Sequence, residues 1–188
     1  INSGADLSSN SHYVVGSKVA SIVNAGAVAA TLYDNEQEVF KFTVTASADS
    51  NKNTEIDLRS LRLAVTSSGL TGLTGATIYR TDDTGTVVSA DTSGLSYLEW
   101  TDLSSLKNIS SGGSATFVVK GVVAGASDGG SLQVKLGNLG SYTTEANVDR
   151  TDGAMTWVDM STYAASGVGR ITSWTDISGV NVTGTNYS

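Results

Sequence analysis

Apolar and polar positions alternate first at Glu38-Val-Phe-Lys-Phe-Thr-Val-Thr-Ala46. Phe40, Phe42, Val44 and Ala46 share one face there, and Lys41, Thr43 and Thr45 share the other. A period of two over nine residues predicts a half-buried strand. The polar run Ser47 to Asn53 follows as its turn. In Ile56-Asp-Leu-Arg-Ser-Leu-Arg-Leu-Ala-Val65 the alternation changes phase: Ile56 and Leu58 keep one register, while Leu61, Leu63 and Val65 keep the other. A β-bulge or a corner at Arg59–Ser60 would return both sets to a common core face. Further strands are expected at 76–80, 86–89, 96–100, 115–123, 131–136, 155–158 and 180–183. The turn Asp82-Asp-Thr-Gly85, with Gly85 at positive φ, should join two of them, and Asp128-Gly-Gly130 should join two more. Leu103 to Ile109 offers at most one helical turn.

Short strands separated by turn signals predict an all-β chain. The expected fold is an antiparallel β-sandwich of immunoglobulin-like or jelly-roll-like type. Its core should hold Phe40, Phe42, Val44, Leu61, Leu63, Ile78, Phe117, Val119, Val134 and Leu136. Residues 1–33 read as an N-terminal β-prone arm and 34–188 as the sandwich domain. Within the arm, Val14, Val15, Val19, Ile22 and Val23 supply apolar contacts. Exposed apolar β surface invites pairing, so the stretch either folds back as the first strand of its own domain or adds to the open sheet edge of a neighbouring copy. The intermolecular placement is the expected one.

Composition narrows the chemistry. The 188 residues include no cysteine, which removes thiolate chemistry and Cys-based zinc sites. The net charge of -7 disfavours nucleic acid as a partner. No apolar run approaches the length of a membrane span. His12, the single histidine, sits in a polar tail, a poor place for a catalytic base, so no enzyme is expected. Acidic turns at Asp34–Glu38, Asp82–Asp83 and Asp149–Asp152 lack the spacing of a calcium loop, and no cofactor is expected. Asn108, Asn181 and Asn186 begin Asn-x-Ser/Thr sequons, which matter in a source that glycosylates asparagine. By alternation Lys41, Lys120 and Lys135 point away from the core, which argues against an intramolecular Lys–Asn isopeptide bond.

All three tryptophans open the same frame, Trp-x-Asp-apolar-Ser: Trp100 with Asp102, Trp157 with Asp159, and Trp174 with Asp176. Trp and Asp two apart in a strand share a face, an uncomfortable arrangement for a buried indole. The frames are therefore read as structural joints, where a strand ends on the aromatic and the carboxylate caps a turn. The alternative is an aromatic platform for sugar.

The order of features also resembles a known group. Val14-Val-Gly-Ser-Lys18 leads into Val39–Ala46, then Glu55–Leu63, Ile109–Val119, Met155-Thr-Trp-Val-Asp-Met-Ser161 and Trp174–Thr183. This resembles the repeated β-sandwich domains in large cell-surface proteins of candidate-phyla (ultra-small) bacteria. That group places prolines in its early segment, and this chain has none. The resemblance implies an exported structural or adhesive role and carries over no catalytic residues. The expected function is an extracellular, cell-surface structural subunit that partners with copies of itself in a filament, pilus-like fibre or surface layer. The rival is a carbohydrate-binding or adhesive module with surface glycans as partners.

Overall fold

The computed structural model describes residues 19–26, 29–48, 55–136, 154–159, 171–173 and 182–187. The strands among them are Val19–Asn24 (β1), Ala29–Ala30 (β2), Asn35–Ala46 (β3), Glu55–Ser68 (β4), Gly72–Arg80 (β5), Asp83–Ser89 (β6) and Thr92–Ser93 (β7). They continue with Tyr97–Trp100 (β8), Ile109–Ser110 (β9), Ser114–Ala124 (β10), Ser131–Leu136 (β11), Ala154–Asp159 (β12), Ile171–Ser173 (β13) and Val182–Tyr187 (β14). No helix occurs among the described residues. Two open sheets pack face to face as a β-sandwich, so the expected fold class holds.

The first sheet has the order β1-β3-β10-β5-β6, antiparallel throughout. Five antiparallel strands leave the two edges, β1 and β6, running in the same direction. The second sheet is organised by β4. Arg62 pairs with both Glu99 of β8 and Ala154 of β12, and Ala64 pairs with both Tyr97 of β8 and Lys135 of β11. A residue has only two sides in a sheet, so β12 and β11 lie end to end along one side of β4. β9 and β8 share the other side. β14 lies beyond β11 and carries β2 in a parallel pairing, the exception among the described strands, which otherwise pair antiparallel.

All ten expected core residues are buried in one cluster between the sheets. Phe42 stands opposite Phe117 on β10, and Phe40 follows on the same face. Their rings stack at centroid distances of 5.3 Å, near the favoured separation for offset aromatic pairs. The phase change in β4 is a bulge: Thr156 faces Ser60 and Trp157 faces Leu58, which leaves Arg59 as the extra residue. A second bulge, not foreseen, falls at Val39, where Val119 faces Phe40 and Lys120 faces Glu38. It shifts the phase of β3 and turns Gln37 into the interior, where its amide has no hydrogen-bond partner.

One expectation about a turn needs correction. β5 and β6 are joined by Thr81–Asp82, with Arg80 paired to Asp83, so Gly85 lies within β6 and does not adopt positive φ. Leu103 to Ile109 forms no helix. Leu106 N–H donates to the Leu103 carbonyl in a single turn, and both leucines plug the core.

Candidate functional site

Of the arm residues, Val14 and Val15 lie outside the described residues. Val19, Ile22 and Val23 belong to β1, which pairs with β3 of its own chain. A register shift at Ala20 brings Val19 and Ile22 onto the core face, three apart in sequence, and both are buried. Val23 is 51% exposed on the outer face. Ala25 N–H extends the ladder to the Lys41 carbonyl. Both β1 and β2 come from within residues 1–33, and each adds to a different sheet.

The first tryptophan frame is stitched residue by residue. Trp100 ends β8 in the second sheet, fully buried, and its indole N–H donates to the Val88 carbonyl of β6 in the first sheet at 3.1 Å. Thr101 donates from its N–H (2.6 Å) and hydroxyl (2.7 Å) to the Asp91 carboxylate. The Thr101 hydroxyl and N–H hold that carboxyl below the usual range. Asp102 accepts from Ser104 N–H at 2.8 Å, and bonding to Ser104 lowers its pKa as well. Leu103 N–H donates to the carbonyl of the bulge residue Arg59 at 2.8 Å. The strand stops at the aromatic and the carboxylate caps the turn that follows.

The second frame is built differently. Trp157 is fully buried, but β12 runs on through Asp159, which pairs with Ile56. The turn expected after Trp157 is therefore not there: the strand is held between β4 and β13, so its backbone continues in the ladder. The indole N–H of Trp157 has no hydrogen-bond partner, while the preceding Thr156 hydroxyl meets Ser60 at 2.6 Å. Trp174 and Asp176 lie outside the described residues, just past the end of β13. Neither Trp100 nor Trp157 offers a ring face to a sugar.

Asn108 is engaged on both sides: its Nδ2 donates to Glu55 at 2.9 Å, and its carbonyl accepts from Arg80 at 2.7 Å. Asn186 lies in β14, and Asn181 falls outside the described residues, as does His12. Asp34 accepts from Ala126 N–H at 2.7 Å, and Asp82 is taken by Arg80. Asp149 and Asp152 are not among the described residues. No group of three or more metal-ligating side chains occurs among those that are. Lys41, Lys120 and Lys135 are partly exposed, and Lys120 Nζ stands 3.7 Å from Glu36.

Two charged positions that alternation left unremarked are among the most constrained. Arg80 is only 4% exposed. It forks onto Asp82 at 2.8 and 2.7 Å and donates through Nη1 to the carbonyls of Lys107 (2.5 Å) and Asn108 (2.7 Å). This ties the segment before β9 to the end of the first sheet. The fork also holds the Asp82 carboxyl below its usual range. Asp57, 4% exposed beside the β4 bulge, pairs with Arg59 at 2.6 Å. The signal for both was present in the pattern. Arg80 closes a strand at the core phase of Ala76 and Ile78, and Asp57 adjoins the break in phase. Comparison of the chain with protein-family models, curated proteins and solved structures gave no match.

Proposed function

We propose that this chain is a non-enzymatic, extracellular structural subunit that polymerises at a cell surface by exchanging its N-terminal strand between copies. The observation that carries the reading is the position of β1. Among the described strands it is an edge strand contributed by the N-terminal segment and bonded in its sheet to β3, with Val19 and Ile22 as core plugs. The same strand supplied by a neighbour would complete the same sheet with the same ladder. Strand parity favours exchange over edge-to-edge stacking. Because β1 and β6 run in the same direction, copies stacked by translation would meet in a parallel pair, the slightly weaker ladder. An exchanged β1 keeps its antiparallel partner, and a head-to-tail contact of this kind propagates into an open filament. The connection from β1 to β3 supports the reading too, because it crosses to the other sheet at β2 rather than closing a tight hairpin. The resemblance to repeated surface domains of ultra-small bacteria points to the same role.

The test is deletion of residues 1–24, read by size-exclusion chromatography and negative-stain imaging. The full chain is expected to form fibres, and the truncated chain to remain monomeric until a synthetic 10–24 peptide is added. A truncated chain that polymerises as well as the full one defeats the proposal.

A further inference from the structure

The β4 bulge gathers a set of charges that the assembly reading does not use. Asp57 is buried on the strand just before the bulge, with Oδ2 2.6 Å from Arg59 Nη2 and Oδ1 enclosed without a hydrogen bond. On its own strand the flanking acid is Glu55, which is bonded to Asn108. From the segment after β8, Asp102 is near enough for its charge to oppose that of Asp57, and Leu103 N–H binds the Arg59 carbonyl. β12 places Val158 opposite Asp57 and Asp159 opposite Ile56, and β9 places the uncharged Ile109 and Ser110 opposite Ile56 and Glu55. Arg59 thus pairs with Asp57 and lies close enough for its charge to act on Asp102, and of these two carboxylates Asp57 is the one withdrawn from water.

We propose that Asp57, Arg59 and Asp102 form a proton-responsive latch: when Asp57 takes up a proton, the cost of holding a buried carboxylate at the β4 bulge and its repulsion by Asp102 are relieved, and the folded state gains. The ionised form carries the cost of burial, the attraction of Arg59 and the repulsion of Asp102. Burial dominates and pushes the carboxyl up to about 6. A carboxyl whose folded value lies above its unfolded value of 3.8 binds its proton more tightly in the folded state. Stability therefore rises as pH falls from about 6 towards 4, and it is flat above that window. The lowered carboxyls of Asp82, Asp91 and Asp102 act in the opposite sense, but only below their ordinary value, outside the window.

The experiment is thermal unfolding of the full chain at pH 7.5 and 5.0, with a carbon-detected titration of the Asp57 carboxyl. The wild type is expected to gain about tenfold in its folding equilibrium, or about 4 °C in Tm, on acidification. Asp57→Asn should lose that gain and melt no lower than the wild type at pH 7.5. His12 is present in both proteins, so its own titration cancels from the comparison. Asp102→Asn should move the Asp57 midpoint to lower pH. An Asp57 carboxyl that titrates near 4, or an Asp57→Asn chain that keeps the wild-type rise, overturns the latch. The carboxyl titration decides alone if Asp57→Asn does not fold.

Discussion

Trp100 and Trp157 flank the same break in one strand: Trp100 stands opposite Leu61 on one side of β4, and Trp157 stands opposite Leu58 on the other, with the extra residue Arg59 between the two levels. Two copies of one five-residue frame thus meet at a single bulge. Only one of them is a strand end.

Truncating either indole should be costly. Trp100→Ala and Trp157→Ala each remove a fully buried side chain and should cost about 3–5 kcal/mol in urea unfolding. The phenylalanine variants should separate them. Trp100→Phe loses the bond to Val88 that crosses between the sheets, about 1 kcal/mol beyond the volume change. Trp157→Phe removes an N–H that has no partner and should cost less than Trp100→Phe.

The carboxylates of the two frames should also differ. Asp102→Ala removes a turn cap and is expected to cost about 1 kcal/mol. Asp159 lies inside β12, so the cap loss foreseen for it does not apply. A denaturation midpoint that falls for Asp102→Ala through loss of the Ser104 bond should be reproduced by Asp102→Leu and largely restored by Asp102→Asn.

Arg80 holds more of the fold than its charge suggests. Arg80→Ala removes a buried guanidinium and leaves the Lys107 and Asn108 carbonyls without their donor, a loss of about 2–4 kcal/mol. Arg80→Lys should recover less than half of it, because an ammonium cannot fork onto Asp82 while reaching both carbonyls. Chemical denaturation at pH 7 checks both variants.

Gln37 is the opposite case. Its amide is buried with neither nitrogen nor oxygen bonded, so Gln37→Met, nearly equal in volume, should stabilise the domain by about 1 kcal/mol. A lower midpoint for Gln37→Met would mean that the amide is satisfied in solution.

Much of the fold was legible because alternation is a local signal. The phase of Phe40, Phe42 and Val44 and the break after Leu58 located a core face and a bulge without any tertiary information. The Val39 bulge was not legible, because Val39 and Phe40 are both apolar and either phase fits the string. Val118 escaped for another reason. It lies on the outer face of β10, yet it is buried, in register between Lys41 and Tyr79, whose long side chains can cover it. The joint at Trp100 was readable from its aromatic and its capping acid. Its partners Val88, Asp91 and Arg59 were not, since each arrives from a different strand or loop. The same limit hid the bonds from Arg80 to the Lys107 and Asn108 carbonyls.

The Arg59 bulge separates two properties of β4 that usually travel together. Deleting Arg59 would put Leu58 and Leu61 two apart, and Ile56, Leu58, Leu61, Leu63 and Val65 would then obey one unbroken alternation. By its hydrophobic string the shortened chain would be the better strand. It would also be straighter, since the extra residue bends and twists the strand that bears it. β12 and β9 pair before or across that point, and β8 and β11 pair beyond it. A straight β4 would therefore carry its two halves at the wrong angle to one another, and Trp100 would no longer point its indole at Val88. In this strand the order of residues encodes which side faces inward, and one surplus residue encodes the curvature.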